Sequence, residues 1–104
     1  MKTRTMYLIL KTLLKYAGRQ DFSNELISAK KLGVPYEEWS YIMILLQKSG
    51  YVEGVIYTQN LSQRFPEIVD ISHVGITIEG IEYVEENSTM KKIGEILKEV
   101  GEIL

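Results

Sequence analysis

The chain of 104 residues has no cysteine, one histidine and only two prolines. Without cysteine there is no disulfide framework, no thiolate zinc site and no thiol redox chemistry. With one histidine there is no multi-histidine metal centre. A net charge of −2 excludes a uniformly basic coat of the kind that wraps nucleic acid. No long apolar run occurs. The stretch Met6–Leu10 follows a basic start, but Lys11 and Lys15 interrupt it, so neither a signal-peptide core nor a membrane span is expected. The expected setting is the cytoplasm, with no membrane association. No phosphate-cradling GxxxxGK motif is present, and no cofactor is expected.

What remains is 45% hydrophobic and 25% charged, ordinary for one soluble domain. The charge is not evenly spread. Residues 1–31 hold seven basic side chains against Asp21 and Glu25, a net +5, whereas residues 32–104 hold five basic against twelve acidic, a net −7. Such asymmetry suits a phosphate contact or a charge-matched protein partner.

Apolar spacing places the elements. Met6, Ile9, Leu10, Leu13, Leu14 and Ala17 share one helical face, predicting a helix over about 4–17 with Arg4, Lys11 and Lys15 on its far side. Leu26–Leu32 reads as a short helix closed by Gly33. Pro35, in a favoured first-turn position, and Glu37 and Glu38, at the positive helix end, open a third helix over 35–49. Its inner face is Trp39, Ile42, Met43 and Leu46. Its solvent face is expected to be Glu37, Glu38, Ser40, Tyr41, Ile44, Gln47 and Lys48.

At Tyr51 the period changes. Tyr51–Tyr57 is rich in β-branched and aromatic residues and reads as a strand, with a bulge at Gly54. Ile68–Ser72 reads as a second strand, and Thr58–Glu67 as the long tip between them. Thr77 is placed to cap a helix from Ile78 to about Glu86, with Ile78, Ile81 and Val84 inward and Glu79, Glu82 and Glu86 outward. Asn87 is expected to end it. That gives a domain over 1–87 and a separate C-terminal helix over 88–104. In that last helix Met90, Ile93, Leu97, Val100 and Leu104 form an a/d seam suited to a homodimer, with Gly94 and Gly101 weakening the helix by about 1 kcal/mol each. The expected core is Ile9, Leu10, Leu13, Leu14, Leu32, Trp39, Ile42, Met43, Leu46, Val52, Ile56, Ile71, Ile78 and Ile81.

Three helices followed by a β-hairpin is the α+β order of the winged helix, a helix-turn-helix with a β-ribbon wing. The punctuation agrees: Leu45-Leu46-Gln47-Lys48-Ser49-Gly50-Tyr51-Val52 runs from helix through glycine into strand, and Thr77-Ile78-Glu79-Gly80 starts the helix after the wing. More narrowly, the chain resembles the YjcQ-like family of small winged-helix proteins of Gram-positive bacteria and their prophages. The resemblance rests on Leu32-Gly33-Val34 leading to Trp39, on Gly50-Tyr51-Val52-Glu53-Gly54, and on Ile76-Thr77-Ile78-Glu79-Gly80 to Tyr83 and Glu86-Asn87. It covers most of 6–104. It implies a winged-helix fold and a prophage or mobile-element setting, and no particular activity.

Three functions compete. The first is binding of double-stranded DNA, as a transcriptional regulator. Phosphate contacts would come from Lys11, Lys15, Lys30 and Lys31, groove contacts from Ser40, Tyr41, Gln47 and Lys48, and wing contacts from Asn60, Gln63 and Arg64. The second is a protein-interaction module on the same frame, favoured by the acidic start of the third helix and by Tyr41 and Ile44. The third is an enzyme. Asp70, Ser72 and His73 invite a triad reading, but strand alternation puts Asp70 and Ser72 on one face and His73 on the other. Glu79, Glu82 and Glu86 read as a solvated face rather than a metal site. A non-enzymatic binding protein is therefore expected.

Overall fold

A computed structural model describes residues 2–59 and 66–88. The helix α1 (Lys2–Lys15) is followed by a 3-10 turn (Asn24–Ile27), the short α2 (Ala29–Leu32) and α3 (Tyr36–Lys48). Then come β1 (Val52–Glu53), β2 (Ile56–Thr58), β3 (Glu67–Asp70) and β4 (Gly75–Ile76). Residues 78–88 form a further helix, α4. This mixed α+β order, with small antiparallel sheets behind three α-helices and a 3-10 turn, is compatible with a winged-helix arrangement.

The segment read as one short helix is two pieces joined at Ser28. Ser28 closes the 3-10 turn by donating to the Glu25 carbonyl and opens α2 by accepting from the Lys31 amide. The side chain of Ser23 caps the 3-10 turn in the same way. Serine hydroxyls at both starts satisfy amides that a helix leaves unpaired.

α1 and α3 lie against each other and share the core with the 3-10 turn and the base of the ribbon. Ile9, Leu10, Ile27, Ile42, Met43 and Leu46 are fully buried. Trp39 is buried too, and its indole N–H donates to the Ile27 carbonyl at 2.8 Å. That bond fixes α3 to the 3-10 turn and supplies the donor a buried carbonyl needs. Leu13, Val52 and Ile71 join the core as their spacing predicts, while Leu14, Leu32 and Ile81 are only half-buried.

Two expected core residues lie outside it. Ile56 is 52% exposed because β2 turns it to the outer face of the ribbon, leaving Tyr57 inward. Ile78 is 73% exposed, since the side of α4 that packs inward carries Gly80 and Val84 and Ile78 lies opposite them. Tyr7, Ile27 and Val55 are core residues that the apolar spacing did not mark.

The ribbon is two strand pairs rather than one hairpin. β1 pairs with β4 (Val52 with Ile76, Glu53 with Gly75), and β2 pairs with β3 (Tyr57 with Ile68, Thr58 with Glu67). Between the pairs the ladder breaks. Gly54 has φ +87°, and a Cβ there would sit 2.2 Å from the His73 carbonyl oxygen, so only glycine lets the two chains pass. At the break Val55 has no strand partner. Its amide donates to Oε1 of Gln47 at 2.8 Å, and its carbonyl accepts from Nε2 of Gln47 at 2.9 Å. A side-chain amide on α3 thus replaces the missing strand.

α3 ends in a Schellman arrangement, Gly50 N–H to the Gln47 carbonyl and Tyr51 N–H to the Leu46 carbonyl, which delivers the chain straight into β1. Thr77 caps α4 as predicted, accepting from the Gly80 amide at 3.1 Å while donating to the Gly50 carbonyl. Gly80 lets α4 approach β1 closely, since a Cβ would lie 2.3 Å from the Tyr51 carbonyl oxygen. α4 does not stop at Asn87. The side-chain Nδ2 of Asn87 donates back to the Tyr83 carbonyl at 2.8 Å, and helix continues through residue 88. The domain boundary expected at 87/88 lies at the edge of the described residues. Met90, Ile93, Leu97, Val100 and Leu104 lie outside the described residues.

No helix among the described residues is long and apolar enough to cross a membrane.

Candidate nucleic-acid interface

The faces of α3 decide what it can present. Trp39, Ile42, Met43 and Leu46 point into the core. A second row, Tyr36, Ser40, Ile44 and Gln47, lies along the side next to the ribbon. The Tyr36 hydroxyl accepts from the Ile68 amide at 3.2 Å, fastening the free edge of β3 to the start of α3. Gln47 is engaged with Val55 as described. Between them Ser40 is 0% exposed and Ile44 6%. Two residues expected on the solvent face, Ser40 and Ile44, are therefore buried, and a third, Gln47, is spent on architecture. Ser40 cannot reach a base edge, and the Gln47 amide has both its hydrogen-bonding ends committed.

The Ser40 hydroxyl has no hydrogen-bond partner. A buried unpaired hydroxyl costs stability, because it gave up water and gained nothing. Ser40→Ala is accordingly expected to stabilise the fold by about 1 kcal/mol in chemical denaturation. A loss of stability in this variant would show that the hydroxyl does find a partner.

The free face of α3 is what is left: Glu37, Tyr41 and Lys48 exposed, with Glu38 and Leu45 half-buried. Tyr41 is 52% exposed. Beside it runs a groove of about 280 Å³ between α3 and the ribbon, lined by Tyr41, Ile44, Leu45, Lys48, Gln59 and Pro66. Glu37 and Glu38 occupy the first turn, where the helix dipole favours carboxylates, and Lys48 the last, where it favours a cation.

The other cations divide into two groups. Lys30 and Lys31 are exposed in the last turn of α2, immediately ahead of α3. Lys11 and Lys15 are exposed on α1, on the side away from the buried Ile9, Leu10 and Leu13. Their ammonium groups sit over their own neighbours, Lys11 5.8 Å from the Tyr7 ring centre and Lys15 5.6 Å from that of Tyr16. Since α1 meets α3 through its buried side, these two lysines face away from α3 and do not join Lys30, Lys31 and Lys48 on one surface. Arg19 is held by Asp21 in a two-pronged ion pair, Nε at 2.9 Å and Nη2 at 2.6 Å. Asn60, Gln63 and Arg64 lie outside the described residues.

The candidate triad does not have triad geometry. Ser72 sits in the middle, its hydroxyl donating to Asp70 at 2.8 Å and lying 3.0 Å from Nδ1 of His73. A nucleophilic triad needs histidine between serine and aspartate. Here the Asp70 carboxylate also accepts from the Ser72 amide at 2.9 Å, which makes the group a turn lock at the end of β3. The Ser72 amide, then its hydroxyl, and more weakly the neighbouring His73, hold the Asp70 carboxyl below the usual carboxylate range. No cluster of three or more histidine, aspartate or glutamate side chains able to hold a metal occurs among the described residues.

Sequence reasoning missed Tyr36, which ties the ribbon to α3, and the structural role of Gln47. The signal for the covered row was Ile44, a large apolar residue on a face otherwise read as wet.

No curated protein and no solved structure matches the chain. A family whose description is YjcQ protein matches residues 7–103, nearly the full length. The chain that carries this three-helix head and clamped two-part ribbon belongs to the YjcQ family.

Proposed function

We propose that the protein is a non-enzymatic DNA-binding module that docks α3 on the duplex chiefly through phosphate contacts, with little base discrimination. The observation carrying this reading is the placement of Lys30 and Lys31 before the first turn of α3 and Lys48 in its last. α3 has 13 residues, so the cations bracket a rod about 20 Å long, enough to span a major groove about 12 Å wide and touch phosphates on both rims. Between them Tyr41 stands clear for apolar contact with a base edge, and Glu37 and Glu38 oppose the backbone. Affinity on this surface comes from counterion release rather than base contacts. A regulatory role in the cytoplasm, on a prophage or mobile element, suits this reading.

Titrating a random duplex by fluorescence anisotropy over a range of salt tests it. Three phosphate contacts predict log Kobs falling against log salt with a slope of about −3. The variant Lys30→Ala/Lys31→Ala/Lys48→Ala is expected to flatten that slope to near zero. Absence of binding at low salt overturns the proposal.

One observation favours a second reading, a protein-interaction module. A groove beside α3 is floored by the apolar Ile44 and Leu45 and flanked by the exposed Tyr41. On that reading no duplex affinity appears at any salt.

A further inference from the structure

α1 and α4 carry opposite charge that no ion pair among the described residues joins. Residues 1–20 contain no acidic side chain, and Arg4, Lys11 and Lys15 are exposed along one side of α1. Residues 78–88 contain no basic side chain, and Glu79, Glu82, Glu85 and Glu86 are exposed along α4. Among the described residues the ion pair is Arg19 with Asp21, and none joins α1 to α4. α4 also bears Ile78, among the described residues the most exposed of the large hydrophobic side chains, next to this acidic row.

We propose that a second copy of this chain docks here, the acidic side of its α4 against the cationic side of α1, and that the contact is reciprocal. Charge complementarity selects the occupant. Lys11 and Lys15 are four residues apart, as are Glu82 and Glu86, so each pair spans about 6 Å along its helix and two lysines meet two glutamates in one register. The lysine ammonium groups already sit over the rings of Tyr7 and Tyr16, so less side-chain freedom is lost on docking. Ile78 gains cover from the half-buried Leu8 and Thr12. Each copy offers one α1 and one α4, and the reciprocal arrangement, in which a two-fold axis repeats the contact, closes a dimer. The duplex proposed for α3 does not compete, because α1 turns its lysines away from α3.

Sedimentation of the full chain tests this. The wild type is expected to dimerise at about 0.05 M salt and to weaken at least about tenfold by about 0.5 M, as screening removes exposed charge attraction. Lys11→Glu/Lys15→Glu and Glu82→Lys/Glu86→Lys are each expected to be monomeric, since like charges then face one another. Mixed in equal amounts, the two variants are expected to form a heterodimer in which both contacts are again opposite in sign. A wild type that stays monomeric at low salt, a dimer that survives in both variants, or a mixture that fails to associate overturns the proposal. So does a loss of random-duplex binding in Lys11→Glu/Lys15→Glu beside a monomeric wild type, which assigns the α1 surface to nucleic acid instead.

Discussion

Trp39→Ala is expected to unfold the domain or to lower its melting temperature by well over 10 °C. Trp39 is 6% exposed at the centre of the contact between α3 and the 3-10 turn. Truncating a core aromatic costs about 3–5 kcal/mol. The indole is also the donor to the fully buried Ile27 residue's carbonyl, and a buried acceptor left without a donor costs about 1–3 kcal/mol. Domains of this size have about 5–15 kcal/mol in all, so the sum removes a large share. Trp39→Phe separates the two effects. It keeps most of the apolar volume and loses only the N–H, so its melting temperature should fall between those of wild type and Trp39→Ala. Equal melting of Trp39→Phe and wild type would show that the Ile27 carbonyl finds another donor. Unchanged melting of Trp39→Ala would contradict the burial itself.

Gly54→Ala is expected to cost about 2–4 kcal/mol, from the left-handed backbone and the collision together. A methyl group at Gly54 meets the backbone of His73 and Val74, not a flexible side chain that could step aside. The chain must then part where β1–β4 gives way to β2–β3, and the Gln47–Val55 bonds go with it. Gly54→Asn discriminates the causes. Asparagine tolerates positive φ better than alanine, yet its Cβ makes the same collision. If the collision dominates, both variants lose stability alike, and amide exchange at Val55 accelerates in both. Recovery in Gly54→Asn would assign the cost to φ.

Much of the fold was legible from the chain alone, for reasons tied to length. α1 and α3 are long enough for Ile9, Leu10 and Leu13, and Trp39, Ile42, Met43 and Leu46, to declare an inner side. The Thr77-x-x-Gly80 start was legible because both residues act locally, one as cap and one as close approach. β1 and β4 have two residues each, too few to show alternation, so the inner strand pair was invisible. The interface was harder to read. A helix 13 residues long with one apolar side leaves Ser40 and Gln47 looking wet, and nothing local says that a ribbon up to 32 residues onward in sequence, at Ile68, will lie on them. Tyr41 and Lys48 stayed where the spacing put them because their side of α3 faces neither core nor ribbon. Lys11 and Lys15 were correctly read as surface, but a surface has directions, and only packing against α3 fixes theirs.

The splice between Gln47 and Val55 has a chemical consequence. A peptide group offers one donor and one acceptor, and among side chains only a primary amide imitates it without charge. Hydrolysis of Gln47 to glutamate, the ordinary ageing reaction of glutamine, would keep the shape and turn the donor into a second acceptor. A carboxylate would then confront the Val55 carbonyl, oxygen against oxygen, at the elbow of the wing. Ageing at this single nitrogen would therefore loosen the appendage while leaving the helical head intact.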